Sequence, residues 1–239
     1  MRKAWGNRLT AMMLVRNEAN RYLRLVLADL CQYVDDLVIL DDASTDGTYE
    51  LCRSFPRVRV LARERKSGFD NEIYLRQKLW QLTVDTSPDW ILALDADEIF
   101  EPRMKAEIRP MIDQGSIDWF AFRMYDFWGS YTHYRDDRYW CAHRFHRILL
   151  VRYLPGYDYL WREQALHCGR LPANLNLLPG CDSPIRLKHL GWAGPPEERM
   201  AKYRAYLRRD PQGEYGIMEQ YQSILNPNPH LVPWKGDFR

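Results

Sequence analysis

"WILALDADEIFE", residues 90–101, is the stretch that decides the fold. Its first five residues are apolar, a length that suits a strand buried on both faces better than a helix. The run then meets three acids, Asp95, Asp97 and Glu98, and turns apolar again. Carboxylates at the end of a buried strand need a cation or a hydrogen-bond donor to face. Residues i and i+2 of an extended segment point the same way, so Asp95 and Asp97 are expected to act on one ligand. Glu98, at i+1 from Asp97, is expected to face away.

The same rhythm extends upstream. "LTAMMLV" (9–15), "DLVIL" (36–40) and "RVRVLA" (57–62) read as strands. Between them, "NEANRYLRLVLADLCQY" carries Leu23, Leu27, Leu30 and Cys31 at helical spacing, and "STDGTYELCRSF" opens a helix with Ser44, Thr45 and Asp46 as competing N-caps. Residues 70–84 form a further helix before the strand at 90–94. Strand–helix alternation of this kind predicts an α/β fold with a mostly parallel sheet covered on both faces. Ligands of such sheets sit beyond the carboxyl ends of the strands, where Asn17, Asp41, Asp42, Asp95 and Asp97 fall.

After residue 115 the pattern changes. "DWFAFRMYDFWGSY" and "HRFHRILLVRYL" suggest longer, antiparallel strands, and residues 155–186 read as loops over the site. "PPEERMAKYRAYLRRD" predicts a helix with Pro at its start, Glu197 and Glu198 in the first turn and basic residues in the last. Lys202 and Tyr206 share one face of it, and Lys202 is a candidate ligand contact. The Pro-rich tail from Asn226 is expected to wrap the surface without regular structure.

Composition narrows the class. Apolar residues make up 46% and charged residues 28%, which suits a globular enzyme and excludes a disordered chain. With 34 basic and 32 acidic residues, the charge gives no reason to expect a nucleic-acid partner. Five cysteines without a CxxC pair read as free thiols in a reducing cytoplasm. No apolar run approaches the length of a spanning helix, so any membrane contact is expected to be peripheral.

"MLVRNEAN" (13–20), "LVILDDASTDGT" (37–48) and "WILALDADE" (90–98) together resemble the successive nucleotide-sugar motifs of family-2 glycosyltransferases with the GT-A fold. The resemblance covers residues 9–101, and more loosely "LKHLGW" and "ERMAKYRAY". It implies a Rossmann-like central sheet with a smaller antiparallel acceptor-side region. Residues 1–115 would form the donor-binding half and 116–239 the acceptor half and C-terminal helix, in one continuous domain. The implied donor is a UDP-, GDP- or dTDP-type sugar, the acceptor a hydroxyl on a carbohydrate or lipid-linked molecule. Asp41 and Asp42 match the pair that holds base and ribose, and Val15 and Asn17 the loop lining the base. Asp95 matches the first DxD carboxylate, near the ribose or the metal's water shell. Asp97 matches the last, the direct ligand of Mn²⁺ or Mg²⁺. His189 matches a histidine that wider relatives supply as a further ligand.

Carboxylates are also the natural partners of a hard cation bridging a diphosphate, and of base and ribose donors, so the chemistry of the residues agrees. "RERKSGFDNEIYLRQKLW" (63–80) departs from the family's usual Gly-rich stretch and leaves the donor sugar open; Lys66 and Arg76 are candidate diphosphate or sugar contacts by position. Transfer to a hydroxyl also needs a base, and a single displacement inverts the anomeric carbon. Glu163 is the first candidate, Asp137 the second and Asp136 the next. Zinc at "CAHRFH" (141–146) is set aside, because His143 and His146 of a strand face opposite ways. A nucleotidyltransferase would be expected to carry a Gly-rich phosphate loop after the first strand, which "VRNEANRY" lacks. A noncatalytic nucleotide-sugar or carbohydrate-binding protein would keep the acids and lack the base.

Overall fold

The apolar runs become strands with little displacement. In the computed structural model, which describes residues 2–236, β1 (Leu9–Val15), β2 (Asp36–Asp41), β3 (Val58–Arg63) and β4 (Trp90–Ala93) lie in the order β3-β2-β1-β4, all parallel. Alternation along β1 feeds two cores. Leu9, Ala11, Met13 and Val15 pack with Leu23, Val26, Leu27 and Leu30 of α1 (Leu23–Leu30). Met12 and Leu14 pack on the opposite face with Leu75, Leu79 and Trp80 of α3 (Glu72–Val84), the helix that follows α2 (Thr48–Arg53) and β3. A fully buried Leu, Val or Met among them contributes on the order of 2 kcal/mol.

Parallel pairing puts the carboxyl ends of the strands on one edge, with β4 ending three residues short of β1. Val15 pairs with Asp41 and Met12 with Ala93, so the loops after β1, β2 and β4 open at one edge. The rest of the chain is β5 (Glu98–Phe100), α4 (Met104–Ile112), β6 (Trp119–Trp128), β7 (His133–Arg135), β8 (His146–Arg152), β9 (Gly180–Trp192), α5 (Pro196–Arg209), α6 (Met218–Ser223) and β10 (Leu231–Pro233). The sheet continues across residue 115: β8 runs antiparallel to β4 and to β6. β9 lies between β6, with which it is parallel, and β5, with which it is antiparallel. Its first residue, Gly180, must be a glycine, since a Cβ there would stand 1.8 Å from the Trp119 indole.

Three expectations change. The chain after β1 does not enter a helix at Asn17; it loops to Leu23, and Asn17 adopts a left-handed φ of 54°. Residues 155–186 are not loop throughout: a 3-10 helix spans Ala173–Leu177, and β9 starts at Gly180. The tail is not irregular throughout: β10 pairs antiparallel with β7. No helix among the described residues is long and apolar enough to cross a membrane.

Candidate active site

β4 ends at Ala93, and the chain turns at Ala96 and Asp97, where the Glu98 N–H bonds back to Asp95 O at 3.2 Å. The i, i+2 expectation for Asp95 and Asp97 therefore fails in its reason: the two line one cavity but meet different partners. Asp95 Oδ1 accepts from both terminal nitrogens of Arg76 at 3.2 and 3.3 Å, and its Oδ2 lies 2.7 Å from Arg170 Nη2. Arg76 continues the buried stripe of α3 toward the strand ends, and Glu72, one turn earlier, braces its guanidinium at 2.9 Å. Burial opposes the Asp95 charge, but Arg170 and then Arg76 outweigh it and hold its pKa below the usual range.

Glu98 does not face away. It is fully buried, its Oε2 accepts the Asp95 N–H at 3.0 Å, and Arg170 grips both carboxylate oxygens at 2.6 Å. A bidentate guanidinium pair of this kind is among the stronger charge-assisted contacts. Neither Glu98 as a partner nor Arg170 is readable locally, because Arg170 arrives from a loop remote in sequence.

Asp97 belongs to a second set, assembled by strand register. β5 sets Glu98 opposite His189, and β6 sets Asp126 opposite His189 from the other side. His189 Nδ1 donates to Asp126 Oδ1 at 2.6 Å, while Nε2 faces Asp97 Oδ2 at 3.6 Å, too far for a hydrogen bond. Lys202 Nζ stands 3.8 Å from the same oxygen and 4.6 Å from the centre of the Trp192 ring. All three groups converge on Gly191: a Cβ there would lie 2.5 Å from Asp97 Oδ2, 2.7 Å from His189 Nε2 and 2.8 Å from Lys202 Nζ. Burial opposes the charge on both Asp97 and His189, yet their mutual attraction wins. Asp97 is held well below the carboxylate range, and His189, aided by Asp126, is raised to about 10. Burial lowers the Lys202 pKa, against the pull of Asp97.

This donor set fits a divalent cation bound with a diphosphate. A carboxylate and an imidazole nitrogen face one space, and the histidine's other nitrogen is fixed by a carboxylate, as metal-ligating histidines usually are. No group of three or more His, Cys, Asp or Glu able to hold a metal occurs among the described residues. The remaining ligands would thus come from substrate phosphate and water, the usual arrangement for Mg²⁺.

The cavity around these groups, about 310 Å³, is lined by Arg76, Asp95, Asp97, His189 and Lys202 of the sequence-predicted set, with Arg16, Glu18, Phe69 and Arg209 among its other walls. The remaining candidates do not line it. Val15 is in the core. Asn17 braces the 44–48 loop: its N–H donates to Ser44 Oγ at 3.0 Å and its Oδ1 accepts the Thr45 N–H at 2.8 Å. Asp41 and Asp42 are fully buried; Asp41 accepts from the Ser44 N–H and pairs with Arg63, while Asp42 holds Ser67, Gly68 and Arg16. Lys66 and Glu163 are exposed. Asp137 is bound to Arg135 at 2.6 Å, and Asp136 to Arg144 and His143. His143 lies in a 3-10 turn, Ala142–Arg144, and not in a strand as expected, whereas His146 opens β8 and pairs with a different carboxylate, Asp182. None of Ser44, Thr45 and Asp46 is the N-cap: that position is Gly47, left-handed at φ 87° and without a side-chain cap, and Asp46 sits one residue earlier, where its Oδ1 accepts the Thr48 N–H at 3.1 Å.

A second cavity, about 380 Å³, adjoins the first. Trp140, Phe145, Arg147 and Gln220 line it, and His167, His189, Trp192, Tyr206 and Tyr221 are common to both. Glu18, on the first cavity only, buries an Oε2 without a hydrogen-bond partner, and this burial raises its pKa to about 7.

A parallel sheet in the order 3-2-1-4, ending in a DxD turn and extended by antiparallel strands, defines the GT-A fold of nucleotide-diphospho-sugar transferases. The chain belongs to glycosyl transferase family 2, whose model matches residues 10–166. That match ends before Arg170, His189 and Lys202. Proteins of Mycobacterium tuberculosis and Mycobacterium bovis, both described as uncharacterized, are each 26% identical over 231 residues, covering 91% of this chain and 54% of their own length. The chain thus spans about half the length of these curated relatives. Among solved structures, S. aureus TarS 1-349 shares the fold over 91% of this chain and 69% of its own, with a TM-score of 0.52 and 13% identity. Glucosyl-3-phosphoglycerate synthase from M. tuberculosis, solved with Mn²⁺ and UDP, covers 51% of this chain and 44% of its own at a TM-score of 0.35 and 16% identity.

Proposed function

We propose that the chain is a metal-dependent, inverting glycosyltransferase that moves a sugar from a nucleoside diphosphate to a hydroxyl acceptor. Family membership supports the reaction class. The observation that carries the mechanism is the convergence of Asp97, His189 and Lys202 on the space above Gly191. Asp97 and His189 would hold Mn²⁺ or Mg²⁺, which would supply positive charge against the leaving diphosphate. Asp126 keeps the His189 ring oriented, and Lys202, Arg16 and Arg209 add fixed cations along the same cavity. Arg76 and Arg170 keep Asp95 ionised beside the ribose or the metal's water shell. The donor base lies, in this reading, against Leu14 of β1 and Phe69, which follows the segment that Asp42 holds through Ser67 and Gly68, while Asp41 and Asn17 hold the 44–48 loop. The aromatic cavity beyond Trp192 takes the acceptor, since ring faces suit both sugars and the apolar part of a lipid-linked molecule. The five free cysteines favour a reducing, cytoplasmic setting.

Thermal shift with UDP, GDP and dTDP, with and without Mn²⁺ or Mg²⁺, tests the donor site. One nucleotide is expected to raise Tm only with metal, and Asp97→Asn to abolish the rise. No metal-dependent shift with any of them sinks the proposal. Release of nucleoside diphosphate that depends on an added hydroxyl acceptor separates a transferase from a binding protein.

A further inference from the structure

We infer that His167 is the base that takes the acceptor's proton, a role that rests on the transferase reading above. Displacement at the anomeric carbon must occur where donor and acceptor meet, so the base must belong to the wall between the two cavities. Five side chains form that wall: His167, His189, Trp192, Tyr206 and Tyr221. Trp192 has no basic atom. Burial pushes the Tyr206 hydroxyl up to about 12, and burial with Asp210 raises Tyr221 as well, so neither gives a phenolate at neutral pH. His189 commits one nitrogen to Asp126 and turns the other to Asp97. The carboxylate that lines the aromatic cavity is Asp126, and it holds His189. His167 is what remains.

Its surroundings orient it. The His167 backbone is left-handed, with φ 56°, an uncommon state for a residue other than glycine and one that clusters at functional positions. Glu72 fixes this segment from two sides: Glu72 N–H donates to Ala165 O at 2.7 Å, and Glu72 Oε2 accepts the His167 N–H at 3.1 Å. On the ring, Nε2 lies 3.4 Å from the Tyr221 hydroxyl, whose own proton goes to Asp210 at 2.9 Å. Tyr221 can therefore only accept from Nε2–H, which leaves the lone pair on Nδ1. Asp210 is itself anchored by the N–H groups of Glu214, Tyr215 and Gly216. Gly216 lets Tyr221 seat there, because a Cβ would stand 1.9 Å from the phenol oxygen.

In the step, the acceptor oxygen bonds to the anomeric carbon. The bond from that carbon to the diphosphate oxygen breaks, and its electron pair leaves with the diphosphate. The hydroxyl proton passes to His167 Nδ1, and the imidazolium returns it to solvent. Glu163 and Asp137, the candidates from sequence, are respectively exposed on a loop outside both cavities and engaged with Arg135.

The test uses water as acceptor and UDP-, GDP- and dTDP-glucose as donors, with Mn²⁺. His167→Ala and His167→Asn keep the backbone bond to Glu72, and asparagine tolerates the left-handed backbone. Both variants are expected to bind nucleoside diphosphate as the wild type does, by calorimetry, while its release from the donor falls about 100-fold or more. Added imidazole should restore part of the rate in His167→Ala. Release within about threefold of wild type in both folded variants overturns this role alone. No release by the wild type from any of these donors, with water or with an added hydroxyl acceptor, overturns the transferase reading, and this role with it.

Discussion

Asp126 touches neither the proposed metal nor the donor; it holds the ring that does. Removing an outer partner of a ligating histidine typically costs 10–100-fold in metal affinity or activity. Asp126→Asn is therefore expected to weaken Mn²⁺ binding measured with nucleoside diphosphate by about tenfold or more, with little change in fold. Gly191→Ala is the complementary test. Its methyl would occupy the point on which Asp97, His189 and Lys202 converge. The expected result is near-normal far-UV circular dichroism with metal-dependent nucleotide binding lost. Retained binding in Gly191→Ala would mean that the three groups do not share a ligand.

At the scale of elements, Arg170 ties the loop before β9 to the turn after β4. Glu98 is fully buried, and without Arg170 it keeps only the Asp95 N–H among its hydrogen bonds to the described residues. Stripping one partner from a buried pair is costly, so Arg170→Ala should lower stability by about 3 kcal/mol in urea unfolding. Glu163→Ala, on the same loop but exposed, should change it by less than about 0.5 kcal/mol. The contrast marks what is legible in the sequence. β1, β2 and β4 and the acids at their ends are local facts: an apolar run, its length and the residues just beyond it. Asp95 and Asp97 are found that way. Arg170 and Asp126 are not, because their partners are set by loop placement and by the β6–β9 register, which no local spacing encodes. Glu98 escapes for the same reason, since the extended geometry assumed for it stops at Ala93. The acceptor side is the least legible: Glu163 and Asp137 have the right chemistry, but packing places neither on the two adjoining cavities.

For the molecule as a whole, Glu18 sets a pH dependence. Burial raises its pKa in the fold to about 7 from the ordinary 4.5. Between those values the folded chain binds more protons at this site than the unfolded chain, so the contribution to stability falls as pH rises and levels off above 7. Glu18→Gln removes this penalty. The variant should be more stable than wild type at pH 8, by on the order of 2 kcal/mol, with the gap closing toward pH 5. Melting curves of both proteins across that range check the sign; a gap that widens on acidification contradicts it.

The insertion of β9 between β5 and β6 also has a consequence for how the chain matures. Strands β1 to β4 pair within the first hundred residues, but the row Asp97–His189–Asp126 closes only when residues 180–192 dock between two strands made long before. Contacts so distant in sequence form late, because loop closure must come first. Until then Asp95, Asp97 and Glu98 crowd one turn with neither Arg170 nor His189 to balance them. During refolding, recovery of metal-dependent nucleotide binding should lag behind far-UV circular dichroism. The same charges that equip the finished site make its last strand a latch, closing a pocket that would otherwise repel itself.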